Sequence, residues 1–165
     1  MRNHGQPTLA AGLAATVLAG LLTAGPTGAA APAATEAERL SPAARYSRTA
    51  FVASNNRRER HNLRDYRRNH CLMKYAVKNA RRMANREVMD HQLLAPIARD
   101  CGLNAVAENI AAGYPTGRSA VRAWMRSTAG HRENILSRTY RLMAVAARRG
   151  DDGRWYAAQV FGRRA

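Results

Sequence analysis

Apolar and polar residues alternate most regularly in the middle of the chain, where the pattern predicts an amphipathic helix over 71–90. Apolar side chains recur there every three or four residues, as at Leu72, Ala76 and Met83, while lysines and arginines take many of the other positions. A helix with this pattern buries one face and exposes the other. Asn69 stands just before it, where an asparagine side chain can cap the first turn.

Weaker patterns predict the elements on either side. A helix with a basic outer surface is expected over about 46–63, an extended segment over 107–115, and a third helix over about 119–127. Between residues 90 and 106 the periodicity breaks at a proline and a glycine, which predicts an irregular connection.

The last part of the chain predicts a pair of strands. The segments "YRLMAVAARR" and "RWYAAQVFG" are rich in apolar residues, and "GDDG" at Gly150–Gly153 has the composition of a hairpin turn between them. Helices that come first and a strand pair that comes last predict an α+β domain.

One polar cluster, "AGHRENIL" at 129–136, places a histidine at the start of a short predicted helix. Gly130 can act as the N-cap, and Glu133 stands at the position of a capping-box carboxylate. His131 is then either an incidental residue at a helix start or a functional side chain, and the cluster alone does not decide between the two.

The first 31 residues have the composition of a secretory signal peptide. Arg2 gives a weak basic start, residues 10–24 are apolar and rich in alanine, and the small residues 28–31 suit a cleavage site. The apolar stretch is shorter than the roughly 20 residues that span a bilayer, so a transmembrane anchor is the less favoured alternative. We therefore expect a secreted, extracellular protein that is cleaved near residues 30–34.

Two further segments follow the signal peptide. Residues 32–47 mix alanine, proline, threonine and serine with few large apolar side chains, which predicts a linker. Residues 48–165 have the length of one domain. Because few of them are aromatic, their core must be built mainly from aliphatic side chains.

The chain is strongly basic, with a formal net charge of +16 at pH 7 carried almost entirely by arginine. Removal of the signal peptide would take away only the charge of Arg2. For a secreted protein this charge predicts attraction to anionic cell-envelope polymers or lipid headgroups, and a solvated basic surface that keeps the protein soluble is the alternative. Nucleic acid is a weaker expectation, because aromatic residues do not alternate with the arginines and no recognition motif is present.

Cys71 and Cys101 are the two cysteines of the chain. In an exported protein they are expected to form one disulfide bond. Closing this loop would stabilise the fold by about 3–4 kcal/mol in the chain-entropy description.

Three residues could carry chemistry: His91 in "MDHQ", Glu108 in "AENIA" and His131 in "GHRENIL". Their separations match no local metal-binding motif. Each lies where the periodicity breaks or an element begins, and functional side chains favour such places.

Five ordered segments give the chain a resemblance to a known family. The series "MDHQ", "AENIAAGY", "AVRAW", "GHRENIL" and "WYAAQVFG" over about 48–162 resembles bacterial secreted members of the CAP superfamily. This superfamily comprises cysteine-rich secretory proteins, antigen 5 and pathogenesis-related 1 proteins. The resemblance implies a three-layer α-β-α sandwich with a small antiparallel sheet and an open cleft.

The resemblance also implies a set of cleft residues. His91, Glu108 and His131 match three of the four family positions, two histidines and two acids, and Ser127 stands at the fourth, which is acidic in the family. Two imidazoles and a carboxylate can hold zinc or another divalent cation, with His91 and His131 as its first candidate ligands. Because a serine hydroxyl lacks the charge and basicity of a carboxylate, no catalytic residue is assigned.

Three functions therefore remain open. The departure at Ser127 favours a non-enzymatic extracellular binding module whose cleft takes a divalent metal or a small ligand. A metal-dependent hydrolase of envelope peptide or polysaccharide is the second hypothesis, although no nucleophile motif is present. Lipid or sterol binding is the third, and it rests on analogy with other superfamily members alone.

Overall fold

A computed structural model describes residues 39–164. The predicted signal peptide, residues 32–38 of the predicted linker and Ala165 lie outside these residues. In the part of the chain that is described, no helix is long and apolar enough to cross a membrane.

Helices and strands both occur along the whole of the described chain. The helices are α1 (Pro42–Glu59), α2 (His70–Arg86), α3 (Leu94–Cys101), α4 (Gly117–Arg126) and α5 (His131–Leu136). The strands are β1 (Arg67–Arg68), β2 (Leu103–Ala112), β3 (Leu142–Arg149) and β4 (Trp155–Arg164). Arg67 and Arg68 were not predicted as a strand, because two charged residues give no periodicity to detect.

The strands form one sheet in the order β1-β3-β4-β2. β4 pairs antiparallel with both β2 and β3, and the predicted hairpin turn joins β3 to β4. β1 pairs parallel with the start of β3, so the sheet is mixed rather than wholly antiparallel as expected. Two residues of β1 suffice for this pairing, and the chain then turns into α2.

Apolar side chains cover both faces of the sheet. One core cluster joins α1, α4 and α5 to the sheet through residues such as Phe51, Trp124 and Phe161. A second cluster packs α2 and α3 on the opposite face through Leu72 and Ile97. The fold is therefore α+β with helical layers on both sides of the sheet, as predicted.

The first helix begins earlier than its periodicity predicts. The side chain of Ser41 accepts a hydrogen bond from the amide of Ala44, and Pro42 follows in the first turn. Proline is well tolerated at this position because its missing amide hydrogen would have no partner there. The helix therefore spans Pro42–Glu59 rather than 46–63, and residues 42–47 are helical instead of forming a linker.

The second helix agrees closely with its prediction. Asn69 is its N-cap and accepts from the amide of Leu72 at 2.9 Å. Leu72, Ala76 and Met83 of the predicted apolar stripe are buried, whereas its members Val77 and Val88 are exposed. The helix ends where Glu87 adopts the left-handed conformation (φ 55°), a little before the predicted end at residue 90.

The predicted irregular connection over 90–106 contains helix α3 and the beginning of β2. Pro96 did not prevent this helix, because it lies in the first turn, where a proline costs no hydrogen bond. Gly102 ends the helix in the left-handed conformation at φ 60°. Cys101, the last residue of α3, forms the expected disulfide with Cys71 in the first turn of α2.

Candidate functional site

Glu108 is a buried carboxylate at the centre of a dense set of hydrogen bonds. It lies on β2, and its side chain is only 1% exposed. Its Oε1 accepts from the side-chain amides of Asn79 (2.9 Å) and Gln92 (2.6 Å). Its Oε2 accepts from the backbone amide of Gln92 (3.3 Å) and lies 2.9 Å from Nδ1 of His91. Four polar groups of the protein thus surround the two carboxylate oxygens.

Arg82 on α2 holds the segment that carries His91. Its guanidinium donates to the carboxylate of Asp90 and to the backbone carbonyls of Asp90 and His91, each at 2.9 Å. The same guanidinium donates to Oδ1 of Asn79 at 2.8 and 3.0 Å. This contact orients the amide of Asn79 so that its nitrogen points to Glu108. Arg82 therefore braces both neighbours of the buried carboxylate.

His91 lies at the surface although its partner is buried. Its side chain is 56% exposed. Because Nδ1 faces Glu108, the Nε2 edge of the ring is the one turned away from this contact. A cavity of about 470 Å³ adjoins it and is lined by side chains from α2 and from the start of α3.

Neighbouring residues of β2 connect the two helical layers. Successive side chains of a strand point to opposite faces of the sheet, so Glu108 faces α2 while Asn109 faces α5. The side-chain amide of Asn109 donates to the backbone carbonyl of His131 (3.1 Å) and to Gln159 (3.0 Å), and its oxygen accepts from Asn134 (2.9 Å). β2 forms one edge of the sheet, and through these two residues it holds the histidine segments of both layers.

The start of α5 orients His131. Gly130 is the N-cap as predicted, and its φ of 85° explains why a glycine stands there. No side chain caps this helix, so the capping box expected from Glu133 is absent within the described residues. Nδ1 of His131 lies 2.8 Å from Oγ of Ser127, the C-cap residue of α4.

The pKa of His131 is lowered from its ordinary value. Burial disfavours the charged imidazolium, and the nearby His91 lowers the pKa further, while Glu133 raises it. His91 and His131 therefore share one electrostatic environment. A neutral imidazole is the form that can bind a metal ion or accept a hydrogen bond.

The structure brings the predicted residues together in pairs. His91 contacts Glu108, and His131 contacts Ser127. Within residues 39–164, no group of three or more His, Cys, Asp or Glu side chains is arranged so that it could hold a metal ion. In each imidazole Nδ1 is engaged, so Nε2 is the ring nitrogen turned away from the contact.

The sequence analysis did not identify Asn79, Gln92 and Arg82. Asn79 had a detectable signal, because it is a polar residue in the middle of the apolar stripe of α2 and is 1% exposed. A polar side chain in such a stripe needs a buried partner. Arg82 and Gln92 had no comparable signal, since one is an arginine among many and the other lies in a segment without periodicity.

The family model of the cysteine-rich secretory protein (CAP) family matches residues 52–161. The chain therefore belongs to the CAP family, as its five ordered segments predicted. No curated protein matches it.

Three solved structures from bacteria have the same fold. An extracellular protein containing an SCP domain from Bacillus anthracis is 25% identical, with a TM-score of 0.62 over 72% of this chain and 40% of the other. An outer surface protein from Borrelia burgdorferi is 20% identical, with a TM-score of 0.65 over 72% of this chain and 92% of the other. A cysteine-rich secretory protein from Staphylococcus aureus is 17% identical, with a TM-score of 0.63 over 76% of this chain and 41% of the other. The chain thus spans about two fifths of the Bacillus and Staphylococcus proteins.

Proposed function

We propose that this chain is an extracellular binding module whose two cleft histidines, His91 and His131, bind a divalent cation or a small ligand through Nε2. The observation that carries the proposal is that both rings have Nδ1 engaged, one by Glu108 and the other by Ser127. Histidines that ligate metals generally have their second ring nitrogen held in this way, because the contact sets the orientation of the ring. The lowered pKa of His131 favours the neutral form that a cation requires.

Glu108 has the role of a positioning residue in this proposal. Three donor groups of Asn79 and Gln92 already surround its oxygens, so binding a cation directly would cost it these hydrogen bonds. Its contact with His91 Nδ1 instead favours a tautomer that leaves Nε2 available. The ligand set would then be two imidazoles, with water or an added ligand in the remaining positions. Zinc suits such a set, because it binds imidazole nitrogen and accepts open positions.

Calorimetric titration of the folded chain with Zn²⁺ tests the proposal. We expect binding by the native protein and at least a tenfold loss of affinity in His91→Ala and in His131→Ala. The matched control is His61→Ala, an exposed histidine in the turn after α1, which should bind as the native protein does. Identical isotherms for the native protein and the double variant His91→Ala with His131→Ala would refute the proposal.

The site supports binding better than hydrolysis. A general base needs a basic group that can accept a proton from water, and the carboxylate of Glu108 is 1% exposed and already accepts hydrogen bonds. At the position where the family has a second acid, the hydroxyl of Ser127 provides no charge. Turnover of a peptide, ester or glycan substrate that disappears in His131→Ala would instead establish the hydrolase alternative.

Secretion and attachment to the envelope complete the proposal. The N-terminal sequence supports export, and the related Bacillus anthracis protein is described as extracellular. The net charge of +16 supports attraction to anionic envelope polymers or lipid headgroups. Co-sedimentation with vesicles that contain anionic lipid should fall steeply with added salt and should be absent with zwitterionic vesicles. Equal binding to both kinds of vesicle would contradict an electrostatic attachment.

A further inference from the structure

One edge of the sheet lacks a neighbouring strand over most of its length. β1 pairs with β3 through Arg67 and Arg68, opposite Leu142 and Met143. Beyond Met143, no strand in the described part of the chain pairs with this side of β3. The open edge therefore runs along residues 144–149.

Two buried residues present their backbone groups to this open edge. The amide of Arg67 donates to the carbonyl of Arg141 across the β1–β3 pair. Arg67 is paired with Leu142, and in a parallel pair such a residue bonds to the residues on either side of its partner, so Met143 turns its N–H and C=O groups toward β1. Residues two apart in a strand turn these groups to the same side, so Val145 and Ala147 face the open edge as well. Val145 is 1% exposed and Ala147 is 8% exposed. Among the backbone hydrogen bonds of residues 39–164, none reaches these two residues from that side.

Buried backbone groups of this kind require a partner. More than about nine tenths of buried N–H and C=O groups in native proteins are hydrogen bonded. An extended peptide satisfies both the donors and the acceptors of a strand edge, in the way that an added strand does in β-augmentation. A lipid chain offers neither donors nor acceptors to such an edge.

The open edge lies at the bottom of a groove of about 740 Å³ between α1 and α2. Small and apolar side chains such as Ala44, Val77 and Ala146 line its interior. In the described part of the chain, no acidic residue lines the groove. The charged residues that line it are Arg48, Arg68, Arg81 and Arg148. The groove therefore combines an open strand edge with a positive rim.

Part of this rim is held in place. The guanidinium of Arg68 lies over the ring of Phe51, 4.1 Å from its centroid. Arg81 and Arg148 are exposed on opposite sides of the groove, on α2 and β3, and no ion pair within residues 39–164 involves either of them. Their charges thus remain available to a bound partner.

We propose that this groove binds an extended acidic peptide segment of a partner protein, which adds a strand to the open edge of β3. The backbone of the peptide would pair with Val145 and Ala147, and its carboxylates would meet Arg81 and Arg148. A second copy of this chain is a poor occupant, because its net charge of +16 and the arginines at the end of its own β3 would be repelled. The proposal is independent of the histidine site, which lies at the opposite edge of the sheet on β2.

A short synthetic peptide of alternating glutamate and valine is the probe, measured by fluorescence anisotropy against the folded chain. Two matched peptides separate the contributions to binding. One carries lysine in place of glutamate, and the other has the same sequence with alternate backbone nitrogens methylated. We expect the acidic peptide to bind, and both matched peptides to bind at least tenfold more weakly. Equal binding of the methylated peptide would overturn strand addition in favour of charge attraction alone.

Variants of the protein locate the site. The double substitution Arg81→Glu with Arg148→Glu should weaken binding of the acidic peptide at least tenfold. The matched control, Arg122→Glu with Arg164→Glu, changes the net charge equally at exposed positions outside the groove and should have a much smaller effect. Equal effects of the two double variants would overturn the assignment of this groove.

Hydrogen exchange followed by NMR provides a readout that does not depend on any substitution. Addition of the acidic peptide should slow exchange of the Val145 and Ala147 amides by at least tenfold. Unchanged exchange at both amides with saturating peptide would overturn the pairing with β3.

Discussion

Nδ1 of His131 lies 2.8 Å from the hydroxyl oxygen of Ser127, although the two residues belong to different segments of the helical layer. Ser127 is the C-cap of α4, and His131 begins α5 after the left-handed Gly130. Because a serine hydroxyl carries no charge, this contact with the histidine is a neutral one. A neutral contact holds the ring without stabilising its protonated form, and this agrees with the lowered pKa of His131.

A carboxylate introduced at residue 127 should raise the lowered pKa of His131. In Ser127→Asp we expect the pKa of His131 to rise relative to the native protein, because a nearby negative charge favours the imidazolium. NMR titration of the ring protons of His131 measures the change. Ser127→Asn is the control of similar size without charge, and it should leave the pKa of His131 low. The same titration curve in the aspartate variant as in the native protein would contradict the contact.

The lowered pKa of His131 also predicts how stability depends on pH. The unfolded chain takes up a proton at this residue near the ordinary histidine pKa of about 6.5, whereas the folded chain does so at a lower pH. Across this interval the unfolded state binds more protons, so this residue makes the free energy of unfolding decrease as pH falls below about 6.5. Urea unfolding of the native protein and of His131→Gln at several pH values tests this. The variant should lose less stability over that interval, and parallel curves would contradict the prediction.

Much of the fold was predictable from local patterns. The apolar stripe predicted most of the buried face of α2, and the glycine-rich turn predicted the β3–β4 hairpin. Both were predictable because each pattern lies within one short segment of the sequence. Helix α3 was not predicted, because a proline normally interrupts helical periodicity. Pro96 is compatible with the helix because it lies in the first turn, and the sequence pattern did not show where that turn begins. β1 was missed because its two residues acquire strand geometry only through pairing with β3.

The candidate site was predictable as a list of residues but not as an arrangement. His91 and Glu108 are 17 positions apart, and their contact depends on how Arg82 anchors the segment before α3. His131 is held by Asn109 from the other face of the same strand. Side chains alternate between the two faces of β2, so the neighbouring residues Glu108 and Asn109 contact opposite helical layers. The sequence does not show which helix lies on which face, so this arrangement could not be predicted from it.

Glu108→Gln should destabilise the protein by roughly 1–3 kcal/mol, the cost of leaving a buried polar group unsatisfied. Both carboxylate oxygens accept from N–H donors, so an amide nitrogen in place of Oε1 would face the side-chain amides of Asn79 and Gln92, and one in place of Oε2 would face the backbone amide of Gln92. Urea unfolding at neutral pH measures the loss. Glu133→Gln is the matched control at an exposed position, and its effect should stay within about 0.5 kcal/mol. A change in Glu108→Gln no larger than in this control would show that the donors find other acceptors.

Arg58 supports α5 from the end opposite His131. It is 1% exposed, and its Nη1 donates to the carbonyls of Ile135 (2.9 Å) and Ser137 (2.7 Å) at the end of that helix. Its Nε donates to the carbonyl of Arg64 (2.7 Å), and its guanidinium lies over the ring of Tyr66, 3.8 Å from the centroid. One side chain of α1 thus joins the loop before β1 to the helix that carries His131.

Replacement of Arg58 should therefore affect both stability and the position of His131. In Arg58→Met three carbonyls lose their donor, so we expect a loss of at least roughly 1–3 kcal/mol, together with shifts of the α5 amide resonances in NMR spectra. Arg60→Met, at an exposed position two residues later, is the control and should stay within about 0.5 kcal/mol. Arg58→Lys separates charge from geometry, because a single ammonium group cannot reproduce the planar set of donors. A lysine variant as stable as the native protein would show that the positive charge suffices, whereas one destabilised like the methionine variant would assign the effect to the geometry of the guanidinium.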